Sequence, residues 1–214
     1  MPNTSFKIQV RLWFISSKTL LLLIFLLCAF AQMNAQVYFT RTGHVHVESK
    51  NAVKKIEADN FQVLSSIDLD NASIKFEGLL KSFEFKLGAL DRMFSSEKVN
   101  VSQYPKFRFE GSINNLDPNK LNGNKAFEVE VNGTLYLWDE KRKTRAKGTI
   151  TPGASGQFTA ESDFIIRIEE KSMRKLNKLL DEKLPDIVNL STDSFGVDRD
   201  IRIKLSCDYK PRNW

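Results

Sequence analysis

From residue 37 onward, apolar side chains recur at every second position, the period of a strand that buries one face. Phe39, Arg41, Gly43, Val45 and Val47 share one parity, and His44, His46 and Glu48 share the other. The alternation continues through Phe61, Val63, Ser65, Ile67 and Leu69, then Ile74 and Phe76, then Phe83, Phe85 and Leu87. It returns at Phe107 and Phe109, at Phe127, Val129 and Val131, and, beyond Asn132-Gly133, at Leu135 and Leu137. Phe164, Ile166 and Ile168 follow, and Ile201, Ile203 and Leu205 close the series. Turn-forming words separate the runs: Asp70-Asn71, Asp117-Pro118-Asn119-Lys120 and Thr151-Pro152-Gly153. About eight strands joined in this way predict an all-β antiparallel barrel or sandwich. A closed barrel of that size holds either its own side chains or one small ligand.

Two segments leave the two-residue period. Over 88–100, Leu90, Met93 and Phe94 fall at helical spacing and predict a short helix between strands. Over 169–184, Met173, Leu176, Leu179, Leu180 and Leu184 form one apolar stripe among charged residues, and Pro185 stops it. This amphipathic helix is expected to cover a barrel end. Its Lys/Arg-flanked stripe also permits transient contact with a membrane surface.

The first 36 residues are of another kind. Lys7, Arg11 and Lys18 precede an uninterrupted apolar run from Leu20 to about Ala31, and Met33-Asn34-Ala35 follows. The run is shorter than the roughly 20 residues a membrane-spanning helix needs. Residues 1–35 therefore read as an export signal cleaved before Gln36, and 36–214 as one periplasmic or secreted domain. Leu27 stands where a lipid-modified Cys28 would need a small residue, so lipidation is not expected. The whole chain carries 32 basic and 26 acidic residues. Without the three leader cations it has 29 against 26, close to +3, which gives no basis for a nucleic-acid partner. With Cys28 removed, Cys207 has no internal disulfide partner and reads as a buried, inert thiol.

The sequence offers little for catalysis. His44 and His46 are the only histidines, and they share a strand face opposite Val45 and Val47, hence the solvent side. Two imidazoles are not a metal site, and no further ligand falls at a recognisable spacing, so no metal or catalytic residue is expected. There is no Gly-x-Ser-x-Gly elbow, and Gly153-Ala154-Ser155-Gly156 lacks the lysine of a phosphate loop. The basic run Lys141-Arg142-Lys143, with Arg145 and Lys147, reads as a solvated hairpin turn.

Several words in order resemble the YceI-like family: Thr42-Gly43-His44-Val45-His46-Val47, Lys55-Ile56-Glu57-Ala58-Asp59-Asn60 and Ser82-Phe83-Glu84-Phe85-Lys86. Tyr104-Pro105-Lys106-Phe107-Arg108-Phe109-Glu110-Gly111 matches that family's most recognisable block, and residues 201–209 are similar to its last strand. The resemblance spans about residues 38–210. It implies an eight-stranded, lipocalin-like antiparallel barrel whose apolar tunnel binds an isoprenoid or other long-chain lipid, with no established catalytic set. Met93 stands where the family usually has His, and Trp138-Asp139-Glu140-Lys141-Arg142 replaces its His-Gly-Val-Thr-Lys hairpin.

Together these readings predict an exported lipid carrier. The inward parity nominates Phe76, Phe83, Phe85, Phe107, Phe109, Phe127, Val129, Val131, Leu135, Leu137, Phe164, Ile166 and Ile168 as the tunnel lining. Parity does not separate a tunnel from a filled core. The alternative is thus a solid barrel acting as a cell-envelope stress or protein-interaction module.

Overall fold

The computed structural model describes residues 36–50, 55–95, 105–171, 174 and 199–212. The export signal read over 1–35 and most of the helix read over 169–184 lie outside the described residues. The strands are β1 (Val37–Lys50), β2 (Lys55–Asp68), β3 (Ser73–Leu79), β4 (Glu84–Phe85) and β5 (Lys106–Asn114), then β6 (Phe127–Leu137), β7 (Glu140–Pro152), β8 (Phe158–Arg167) and β9 (Asp200–Pro211). One helix, α1 (Gly88–Ser95), stands in the segment expected to be helical. The order around the sheet is β1-β9-β8-β7-β6-β5-β3-β2, and β1 also pairs with β2, which closes the ring. All neighbours are antiparallel. The ninth strand is a two-residue rung: β4 pairs only with Ala58 and Asp59 of β2, a stretch that β3 does not reach. The run Phe83-Phe85-Leu87 is therefore not a full strand. The barrel wall has eight strands.

The β1–β2 pair contains two compensating irregularities. Thr40 pairs with Ser65 and Gly43 with Val63, so β1 carries one extra residue; Val45 then pairs with Asn60, so β2 carries one. A one-residue slip exchanges the faces of a strand. Consequently Phe39 and Arg41, expected inward, turn outward, and Thr40 is buried in their place. Phe61 is likewise thrown outside, 53% exposed, with its ring stacked on His44 at 4.4 Å and 8°. Asn60 holds the β2 bulge. Its side chain is fully buried, donates to the Leu79 carbonyl at 2.9 Å and accepts from the Gln62 N–H at 2.9 Å. A buried amide that satisfies both ends in this way avoids the desolvation cost of an unpaired group.

The turns form where the sequence places them. The Asp68 carboxylate accepts from the N–H groups of Asp70 and Asn71, at 3.0 and 3.1 Å. Asp117 accepts from Asn119 N–H at 3.0 Å and starts a 3-10 turn over Pro118–Asn122. The β6–β7 hairpin is tighter than expected: Leu137 pairs with Glu140, leaving a two-residue tip of Trp138 and Asp139. Trp138 adopts φ +53°, a left-handed backbone that disfavours a bulky residue, while its ring packs on the core. The basic run is thus not the tip. Lys141, Lys143, Arg145 and Lys147 lie exposed along the outer face of β7.

Antiparallel register assigns the core residues to two ends. One end gathers Ile67, Ile113, Ile150, Phe158 and Tyr209, all at most 4% exposed. Phe158 contacts the rings of Tyr38 at 4.9 Å and Tyr209 at 5.0 Å, and Leu121 of the β5–β6 connection joins the cluster. This end is closed, and Ile67, Ile113, Ile150 and Tyr209 also border the interior space described below. Toward the other end, Val47, Phe83, Phe85, Leu135, Leu137, Phe164 and Ile203 are only half-buried although they face inward.

Candidate functional site

Half-buried apolar side chains on an inward face require a void, and the barrel contains one of about 270 Å³. That lies just below the range of about 300–1,000 Å³ typical of small-molecule pockets. Along β9 it runs from Ile201 to Tyr209, eight residue steps. At about 3.4 Å per step and a strand tilt of about 40°, this is about 20 Å along the barrel axis. The void is long and narrow.

Its cause is residue size. Phe76, Phe107 and Phe83 crowd the β3–β5 side, with Phe107 centroids 6.1 Å from Phe76 and 5.6 Å from Phe83. Gly78 makes room for them, since a Cβ there would lie 2.5 Å from the Phe107 ring. The opposite wall is small: Thr144, Ala146 and Gly148 face inward from β7, and Ala160 and Ser162 from β8. Large residues on one wall face small ones on the other, and the interior does not fill. These two strands also pair over only five rungs, Gly148–Pro152 with Phe158–Ser162, so β7 over 140–147 and β8 over 163–167 make no rungs with each other.

Eleven of the thirteen residues nominated by parity border the void: Phe76, Phe83, Phe85, Phe107, Phe109 and Val129, with Val131, Leu135, Leu137, Phe164 and Ile166. Phe127 does not. It packs on the closed end, with Lys120 Nζ 5.5 Å from its ring centre. Ile168 does not either; it lies beyond the end of β8, 2% exposed, in a satellite cluster with Ile166. The sequence reading missed the small β7 and β8 residues and also Val45, Ile56, Leu80, Leu90, Ile201 and Ile203. Small residues at inward parity, Thr144-x-Ala146-x-Gly148, are the signal that would have found the space.

The polar groups at the closed end are spoken for. Ser65 Oγ donates to the Lys75 carbonyl at 2.8 Å, so the Tyr209 hydroxyl, 2.5 Å away, must donate to Ser65. Burial pushes the Tyr209 hydroxyl upward and the Cys207 thiol up to about 12. Cys207 is buried and unpaired in a disulfide, as expected, and at neutral pH it is not a thiolate nucleophile. The surface that the void presents is overwhelmingly apolar.

Outside the barrel, His44 and His46 face away from the core, as expected, but they are not free in solvent. Asp59 Oδ1 accepts from His44 Nε2 at 2.7 Å and from His46 Nδ1 at 2.8 Å. Partial burial pushes Asp59 up, yet the two imidazole hydrogen bonds outweigh it and the net shift is downward. Glu48 is held at about 2, chiefly by the Lys204 ammonium 2.6 Å away and also by Lys55. Glu57 is held at about 2 by hydrogen bonds from Lys55 and Lys86. Glu48 lies beside His46 on β1, and two further carboxylates are supplied across the β1–β2 pair, where His46 faces Asp59 and Glu48 faces Glu57.

No family model matches the sequence, and no curated protein matches it. Solved structures do match. A polyisoprenoid binding domain from Saccharophagus degradans, implicated in plant cell wall breakdown, superposes with a TM-score of 0.64 at 10% identity, over 84% of this chain and 100% of that one. Burkholderia cenocepacia BcnA superposes with a TM-score of 0.54 at 14% identity, over 78% of this chain and 96% of that one. Campylobacter jejuni YceI matches at a TM-score of 0.44 and 13% identity, over 77% of this chain and 85% of that one. At such identities the likeness concerns architecture. In fold, the chain is a closed eight-stranded antiparallel barrel, the architecture it shares with the Saccharophagus domain.

Proposed function

We propose that this protein is an exported, non-catalytic carrier that holds one long apolar chain, of isoprenoid type, along the barrel axis. The observation that carries this reading is the void itself: a narrow apolar space faced by half-exposed Phe, Leu and Ile side chains. A prenyl or alkyl chain would remove that surface from water at about 25 cal/mol per Å², without covalent chemistry. The void-bordering residues nominated by parity, led by Phe85, Phe109, Leu135 and Phe164, are its contact surface. A shared architecture with a domain described as polyisoprenoid binding supports the same ligand class. Export rests on the leader at 1–35. Native mass spectrometry of the purified protein, followed by lipid extraction, tests the reading. A stoichiometric prenyl or long-chain species is expected, and N-terminal sequencing should begin Gln36-Val37-Tyr38. Protein that neither retains nor takes up any long-chain lipid would support the solid-barrel alternative.

A further inference from the structure

The outer face of β1 and β2 carries an arrangement that the cavity does not explain. His46 Nδ1 donates to Asp59 Oδ1 at 2.8 Å, which fixes the ring and leaves Nε2 as the remaining nitrogen. That nitrogen lies 3.4 Å from Glu48 Oε1. In a neutral imidazole with Nδ1 protonated, Nε2 is an acceptor, so two electron-rich atoms face each other. Lys204 Nζ, 2.6 Å from the same Glu48 oxygen, offsets the carboxylate's charge but leaves His46 Nε2 facing it, and a second proton or a metal ion between the two would join them. The separation fits a metal. Zinc–nitrogen and zinc–oxygen bonds of about 2.0–2.1 Å in a tetrahedral shell place neighbouring ligand atoms about 3.3 Å apart. Glu57 supplies a third ligand: its carboxylate, His46 and Glu48 present atoms within 4.8 Å of one another.

We infer that His46, Glu48 and Glu57 form a binding site for a divalent borderline transition metal of the zinc class, with Asp59 as the positioning residue behind His46. The carboxylate–imidazole–metal relay is the usual way such a ligand is oriented. One imidazole and two carboxylates suit zinc-class ions better than soft copper(I), and three protein ligands leave a position open to water. The site is sheltered, with side chains of His46, Glu48 and Glu57 only 16%, 10% and 15% exposed. Without metal, its negative charge is met by lysines: Lys55 bridges Glu48 and Glu57, Lys204 reaches Glu48, and Lys86 reaches Glu57. These ammonium groups sit on stems 44–63% exposed, free to swing into solvent when a metal takes their place. His44 shares Asp59 but lies outside the ligand set.

The test is calorimetric titration of the purified full-length, tag-free protein with zinc chloride, with thermal unfolding of each metal-free variant as a folding control. One ion per chain is expected. His46→Ala should abolish binding, and Asp59→Asn should weaken it about 10- to 100-fold, the usual effect of losing such a partner. Lys55→Met should tighten binding by removing the competing cation, while His44→Ala should change it less than threefold. No stoichiometric binding by the folded parent would mean that only a proton lies between His46 and Glu48, and would overturn the inference. Binding that survives His46→Ala would overturn it equally.

Discussion

Ala146→Phe separates a ligand cavity from an ordinary core by the sign of its effect. Ala146 faces inward from the centre of the small wall, paired with Val131 and flanked at the same parity by Thr144 and Gly148. At about 24 cal/mol per Å³, a void of about 270 Å³ forgoes about 6 kcal/mol of packing relative to a filled barrel. A phenylalanine ring at 146 would occupy part of that space and leave water on folding, a gain of about 1.5–3 kcal/mol. The β-strand backbone suits the aromatic residue. For a domain of this size, about 2 kcal/mol raises Tm by about 4–8 °C. In a solid barrel the same ring would overpack and cost about 1–3 kcal/mol. Differential scanning calorimetry and uptake of a fluorescent prenyl probe, on parent and variant, give the answer. A higher Tm with probe uptake reduced at least tenfold is expected. A Tm lowered by several degrees, or a raised Tm with undiminished uptake, would refute the reasoning.

Tyr209→Phe should cost about 1–2 kcal/mol in urea unfolding, because buried Ser65 loses the donor to its oxygen while still donating to Lys75; an unchanged midpoint would show that the hydroxyl pair contributes nothing. Glu48 and Glu57 titrate near 2 in the folded protein and near 4.5 unfolded, so their ion pairs stabilise fully above about pH 4.5 and are lost as pH falls toward 2. Tm measured across that window should drop more steeply in the parent than in Glu48→Gln, and parallel curves would remove this network from the acid response. Cys207, with its thiol pushed up to about 12, should resist maleimide at pH 7.5 in the native state and label fully in urea, as read by peptide mass spectrometry. Rapid native labelling would mean that the closed end opens.

Period-two alternation made the barrel legible because most strands keep one face on the interior for their whole length. The inward assignments of Phe107, Phe109, Leu135 and Phe164 needed nothing more. The reading failed where alternation is broken by pairing rather than by composition. Nothing local to Phe39 or Phe61 announces a bulge; each is an aromatic residue in phase with its neighbours. It failed again at Phe127 and Ile168, which have the correct parity but lie where turns and satellite packing seal them from the void. A list of large apolar residues also finds the walls of a cavity and not its cause, which here is the run of Thr144, Ala146 and Gly148. Spacing along one strand showed only Glu48 beside His46 and could not reveal Glu57 and Asp59, which come from the neighbouring strand.

The bulged pair links the inner and outer faces. Had β1 and β2 paired without extra residues, the inward series beginning at Tyr38 and Thr40 would have continued through Thr42, His44 and His46. It would have put two imidazoles into an apolar interior, where unsatisfied polar groups are costly. The extra residue on β1 after Thr40 instead turns Gly43, Val45 and Val47 inward. Gly43 is needed at that point, since a Cβ would lie 2.7 Å from Cys207 Sγ at the closed end. The compensating residue on β2 restores the phase between the strands. His46 then meets Asp59 and Glu48 meets Glu57 on the outside, while Val45 and Val47 border the void on the inside. Asn60 lies between these two consequences, adjacent to Asp59 in sequence and tied to Leu79 and Gln62 through its buried amide. The buried Asn60 amide thus anchors the compensating bulge, which keeps the apolar face of β2 inward while its carboxylates meet β1 on the outside.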